Sequence, residues 1–130
     1  MKEVFDFLKE CGVFYIATID NDKPRVRPFG AINMFENKIY FQTGKKKDVS
    51  KQIEKNNNVE ISGMANGKWI RLEGKLIRDE RREAKKSMLD NNPELRAMYS
   101  EDDDNTETLY LEKAKASICS FTEPTKTIEF

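Results

Sequence analysis

Val4, Phe5 and Leu8 recur at helical spacing near the start of the chain, while Lys2, Glu3 and Lys9 fall on other faces. That pattern predicts an amphipathic helix over 2–11, stopped by Gly12. Residues 13–19 (VFYIATI) are β-branched and aromatic with almost no polar position, which predicts a strand buried on both faces. The turn cluster DNDKP at 20–24 leads into RVRPFGAINM, a second strand. Pro28 cannot donate to a ladder, so that strand is an edge or is interrupted there. Phe35–Lys38 predicts a turn, IYFQT (39–43) a third strand, and VSKQIEKN a short helix carrying Val49, Gln52 and Ile53 and ended by Asn56–Asn58. VEISGM (59–64) and WIRLEGKLI (69–77) flank Asn66-Gly67, a hairpin signal. Asp79 is placed to cap a helix running to Leu89, and Pro93 to open a short one through Tyr99. SEDDDNTET (100–108) reads as a solvated acidic connector, before a closing strand pair in LYLEKAKASICSF and TIEF.

Short strands joined by tight turns favour antiparallel pairing. The expectation is a mainly β (α+β) fold: a six-stranded antiparallel Greek-key barrel, closed or nearly so, with peripheral helices. Periodicity alone fits a sandwich equally well. At 130 residues the chain is expected to form one domain, 1–130. Lys plus Arg number 23 and Asp plus Glu number 23, a balance that gives no support for a nucleic-acid or membrane-surface binder. With no leader-like or membrane-length apolar run, a cytoplasmic location is expected.

Cys11 and Cys119 lie far apart and read as free thiols. The chain has no histidine, which excludes a Ser-His-Asp triad and histidine-ligated metal or haem, and no metal centre is expected. Redox or transfer chemistry would then fall to a bound organic cofactor.

Three segments could carry such a group. In TGKKKDV (43–49), Lys45, Lys46 and Lys47 stand just before a predicted helix N-terminus, where an anion would satisfy both the lysines and the free N–H groups; a solvated lysine run is the plain alternative. In RVRPFG, alternation puts Arg25, Arg27 and Phe29 on one face and Val26 and Pro28 on the other. Two arginines can clamp a phosphate, and Gly30 permits close approach of a ligand; a charge-protected edge strand explains the same residues. In WIRLEGKLI, Ile70, Leu72 and Leu76 form the core set, leaving Trp69, Arg71 and Glu73 for an interface or ligand wall, or for packing under a terminus.

The order of RVRPFG, IYFQTG, lysines, a helix with KQI, an asparagine run, VEI and WIRLEGK resembles the pyridoxamine 5′-phosphate oxidase-like split-barrel superfamily. Within it, the likeness is to short nitroimidazole-resistance-type and general-stress-type flavoproteins. The resemblance implies FMN in a groove between two barrels of a homodimer. It implies flavin and phosphate contacts from Arg25, Val26, Arg27, Pro28, Phe29 and Gly30, a contact pair in Gln42 and Thr43, phosphate contacts from Lys46 and Lys47, and an approach of Trp69 and Arg71. Trp69 replaces the glutamine of the true oxidases, and the ending TIEF lacks their arginine-and-histidine motif, so vitamin B6 oxidation is not expected. The implied activity is an FMN-dependent oxidoreductase working with a small-molecule electron donor or acceptor; a flavin carrier or sensor without turnover is the alternative. No residue stands out as a catalytic acid or base.

Overall fold

The computed structural model describes residues 1–130. Helix α1 (Lys2–Cys11) turns Val4 and Leu8 wholly inward. Burying each contributes about 1.5–3 kcal/mol, which holds a helix too short to persist alone. Gly12 ends it at φ +73°, in the left-handed region that favours glycine. Strands β1 (Phe14–Asp20) and β2 (Lys23–Phe29) form a hairpin around Asn21, and β3 (Ile32–Phe35) and β4 (Lys38–Gly44) a second around Glu36-Asn37. Helix α2 (Asp48–Lys55) follows, then the hairpin β5 (Asn58–Ala65) and β6 (Lys68–Asp79) around Asn66-Gly67. Helix α3 (Arg82–Asn91), a 3₁₀ turn at Pro93–Ala97, β7 (Thr106–Cys119) and β8 (Lys126–Glu129) complete the chain.

All eight strands join one antiparallel sheet in the order β2-β1-β5-β6-β7-β4-β3, with β8 added to β7. Its two end strands, β2 and β3, are consecutive and separated only by Gly30 and Ala31. Two residues span at most about 10 Å between the flanking ends, so the sheet must roll until its edges meet. It does not hydrogen-bond shut there, which makes it a split barrel. Phe14, Ile16, Phe41, Ile61, Ile70 and Leu72 fill it, with α1 packed against β5 and β3.

The antiparallel β class is as expected, but there are eight strands instead of six. The run 25–34 breaks at Gly30–Ala31 because the chain leaves one edge for the other. Strand β1 is buried on one face only: Tyr15 and Ile19 alternate outward, with no layer covering them. The 100–108 connector is shorter than expected, since Thr106, Glu107 and Thr108 belong to β7 and are buried. The Asp103 carboxylate sets its end, accepting from the amides of Ser100, Asn105 and Thr106 and from the Thr106 hydroxyl. Asp79 is not a helix cap. It closes β6 as a buried carboxylate, accepting from Tyr40 Oη at 2.7 Å and from Arg81, and α3 starts with Arg81 as its uncapped N-cap residue.

One residue governs which way the end of β7 faces. Lys113 at φ +51° is an extra residue against β6, where the register shifts between Glu73 and Lys75. The bulge moves the inward positions from Leu109 and Leu111 to Ala114, Ala116 and Ile118. Gly74 lies opposite: a Cβ there would meet Leu111 Cδ1 at 2.8 Å.

Candidate functional site

Arg27 sits where β1, β2 and α2 converge. Its Nη1 donates to Thr18 Oγ1 at 2.7 Å and to the Ile16 carbonyl at 3.2 Å, and its Nη2 donates to Gln52 Oε1 at 2.7 Å. Thr18, itself buried, donates to the same Gln52 oxygen at 2.6 Å. A guanidinium has five N–H donors. Three hold Arg27 in place; one on Nε and one on Nη2 have no partner. Burial lowers its pKa, with Asp48 acting against and Arg25 with that shift, yet an arginine remains a cation at any working pH. The result is a fixed positive fork, restrained by neutral groups. Arg25, in contrast, is half-exposed and paired to Asp20 at 3.1 Å.

The lysine turn divides its labour. Lys45 is turned away and donates to Glu80 at 2.9 Å. The amides of Lys45 and Lys46 donate to the backbone and side-chain oxygens of Asn105, and that of Lys47 to the Gly44 carbonyl. The three lysine amides are therefore spent, and what these residues still offer an anion is their side chains. Lys47 is the N-cap residue of α2 and its side chain makes no capping bond. It borders two cavities that also share Arg27.

The larger cavity is an open cleft of ≈ 980 Å³ between the β1–β2 hairpin and α2, lined in part by Arg25, Val26, Arg27, Lys47, Lys51 and Lys55. The smaller, ≈ 200 Å³, holds Pro28, Phe29, Gly30, Gln42 and Thr43 on one side and Leu95, Met98 and Tyr99 on the other. Gln42 is buried, and its Oε1 has no hydrogen-bond partner. An orphaned amide oxygen costs about 1–3 kcal/mol, and a donor on a bound ligand would offset it. Gly30 adds room: a Cβ there would meet nothing nearer than the Gly12 carbonyl at 3.6 Å.

Of the residues singled out from sequence, the fold brings Arg25, Val26, Arg27, Pro28, Phe29, Gly30, Gln42, Thr43 and Lys47 to these joined cavities. Lys46 is exposed on the same turn and lines neither. Trp69 and Arg71 lie on the outer face of β6. Arg71 is three strands from Pro28 through Ser62 and Tyr15, about 14 Å across the sheet. Trp69 packs on Phe121 with ring centroids 4.9 Å apart. Sequence reasoning missed Thr18 and Gln52, whose part depends on a contact 34 positions apart. It also missed Lys51 and Lys55, which the i+4 and i+8 spacing from Lys47 signals. No group of side chains is placed to hold a metal ion, and no helix is long and apolar enough to cross a membrane.

The model of the family described as pyridoxamine 5′-phosphate oxidase matches residues 1–116. A NimC/NimA family protein from Clostridium acetobutylicum is 46% identical and superposes with a TM-score of 0.98, covering 100% of this chain and 92% of that one. General Stress Protein 26 from Bacillus anthracis shares the fold at 16% identity and TM-score 0.79, over 99% of this chain and 97% of its own. A heme binding protein from Mycobacterium smegmatis does so at 12% identity and TM-score 0.77, over 98% of this chain and 56% of its own. No curated protein matches the chain. The rolled antiparallel sheet, the match over residues 1–116 and the near-complete superposition on a relative of 46% identity lead to one conclusion: this chain belongs to the pyridoxamine 5′-phosphate oxidase-like family of split barrels.

Proposed function

We propose that the protein is an FMN-binding flavoprotein and an FMN-dependent oxidoreductase that exchanges electrons with small molecules. The observation that carries this reading is the joining of two unlike cavities through Arg27 and Lys47. One is cationic; the other is narrow, partly apolar and contains the unpartnered Gln42 oxygen. A ligand matching both has a phosphate at one end and a flat ring with a hydrogen-bond donor at the other, and FMN is such a molecule. Arg27 and Lys47 would hold the phosphate, with Arg25 and Lys46 adding field. Pro28, Phe29, Gly30, Gln42 and Thr43 would hold the ring. When bound, FMN supplies the redox centre. The protein's own groups bind it, orient it and set the charge around it.

The working unit is a homodimer. Trp69 and Arg71 cannot reach the cavities of their own barrel, but a second copy can bring them there. The outer sheet face offers apolar contacts at Tyr15, Val26 and Met64, which are 49%, 66% and 67% exposed. A C₂ interface would bury this patch twice. A haem ligand is not favoured, because the chain has no histidine and no cysteine at the cavities.

The test is the visible spectrum of the purified protein after equilibration with FMN, then reduction by NADH or NADPH and reoxidation by nitro compounds or quinones. Bound flavin that turns over establishes the oxidoreductase. Bound flavin that neither donor reduces favours a carrier or sensor, and no binding refutes the proposal. The Lys46→Ala/Lys47→Ala pair should weaken FMN about tenfold or more and riboflavin much less, since riboflavin has no phosphate.

A further inference from the structure

The cationic cleft is longer than one phosphate requires. Lys47, Lys51 and Lys55 occur at i, i+4 and i+8 on α2 and border the same cleft, so they form a stripe about 12 Å long from the helical rise. Arg25 and Arg27 of β2 line the same trough, and Arg27 reaches across to Gln52 of α2. Arg25, Lys45 and Arg78 all have carboxylate partners, whereas Arg27, Lys47, Lys51 and Lys55 have none. Asp20 and Asp48 are the only carboxylates that line the cleft, and Asp20 is taken by Arg25. Five cations thus meet two carboxylates in one open trough, on a chain whose formal charge is zero. Like charges one turn apart weaken a helix, and only Lys55, at the C-terminal end, gains from the helix dipole. Helix stability therefore does not account for the stripe.

A phosphomonoester carries about two negative charges, which Arg27 and Lys47 neutralise at one end. Lys51 and Lys55 lie one and two turns further on, with Arg25 lining the same trough. We propose that the trough along α2 seats further phosphate of an extended nucleotide: a diphosphate-bearing dinucleotide, with Lys51 and Lys55 reading the phosphate beyond the one held by Arg27 and Lys47. This rests on the flavin reading of the adjoining pocket. The diphosphate could come from a dinucleotide flavin in place of FMN, or from a nicotinamide dinucleotide that reduces a bound FMN.

The experiment compares the full-length protein with its Lys51→Ala/Lys55→Ala variant at one fixed ionic strength, since screening sets in within about 8–10 Å. Inorganic pyrophosphate is titrated calorimetrically into both without flavin. FMN and FAD are titrated by flavin fluorescence, and NADPH and NADH into FMN-loaded protein. Pyrophosphate should bind the wild type and weaken about tenfold in the variant. The affinity of one dinucleotide relative to FMN should fall by a similar factor: FAD if the trough serves the cofactor, a nicotinamide dinucleotide if it serves the electron donor. Pyrophosphate that ignores the wild type, or binds both proteins equally, overturns the proposal. So does a variant that loses FMN and both kinds of dinucleotide in equal measure, because the lysines would then be part of the first phosphate site alone. Failure of FMN to bind the wild type while pyrophosphate binds and responds would refute the flavin reading and leave the trough standing.

Discussion

Replacing Arg27 by Met separates the phosphate reading from a purely structural one. The side chain has three donors committed to Thr18, Gln52 and Ile16 and two without partners. On folding, the loss is limited: Thr18 still donates to Gln52, and Arg27 itself lines the open cleft, so water can follow the departing guanidinium. A cost of about 1 kcal/mol is expected, from hydrogen bonds exchanged for solvent. On binding, the variant loses a fixed cation with two free N–H groups. A charge-assisted contact of that kind contributes about 1.5–3 kcal/mol, a factor of about 10 to 150 in affinity. Riboflavin, without the phosphate, should lose less than about threefold. The assay is flavin fluorescence titration with both ligands, alongside thermal unfolding to confirm that the variant is folded. Arg27→Lys should behave almost as badly as Arg27→Met, because one ammonium cannot serve Thr18, Gln52, Ile16 and a ligand at once. An Arg27→Met protein that binds FMN and riboflavin with equally reduced affinity would show that Arg27 shapes the cleft and does not read phosphate. Unchanged FMN affinity would place the phosphate elsewhere.

Three further outcomes follow from the structure. Asp103 is subject to burial, which raises its pKa, but the amides and hydroxyl around it win and hold the carboxyl at about 2. A depressed carboxylate stabilises fully above its unfolded value of about 3.9 and loses that contribution as pH falls toward about 2. Solvent screening at this partly exposed turn leaves about 1–2 kcal/mol, so Asp103→Asn should flatten the acid limb of a denaturant-measured stability profile between those values. Gly74→Val pushes a side chain into Leu111 Cδ1 at 2.8 Å and the Glu112 carbonyl at 3.1 Å, and should cost about 1–3 kcal/mol by chemical denaturation; an unaltered midpoint would mean that the bulge yields. Tyr15→Arg places a charge in the middle of the exposed sheet face; under the proposed homodimer, the wild type should sediment as a dimer at micromolar concentration and the variant as a monomer, and a variant that stays dimeric would put the interface on another surface.

What could be read from the sequence follows from how local each cause is. Helix α1 depends on the spacing of Val4 and Leu8, and the β5–β6 hairpin on Asn66-Gly67, so both were legible. The outward face of β1 was not. Tyr15 and Ile19 are as apolar as their buried neighbours, and only the absence of a covering layer leaves them exposed. Nor was the parity switch in β7, since Lys113 in a run of alternating lysines carries no mark of a bulge. In the site, the residue types of RVRPFG and the lysine turn were legible. That Lys45 would be consumed by Glu80, and that Gln42 would be left with an unpartnered oxygen, depends on contacts between distant elements.

The tie between the lysine turn and Asn105 also has a kinetic meaning. The Lys46 amide is hydrogen-bonded to a residue 59 positions later, and β4 to its partner β7 across a similar span. Loop closure of that length comes late and slowly in β-rich folding. On the ribosome, therefore, the turn that presents Lys47 cannot take its final form until residue 105 has emerged. If the proposed FMN site is right, then even with Arg27 already in its hairpin a nascent chain has no finished site for FMN to template. A ligand of the joined cavities would stabilise this protein only after the barrel exists, by slowing its opening.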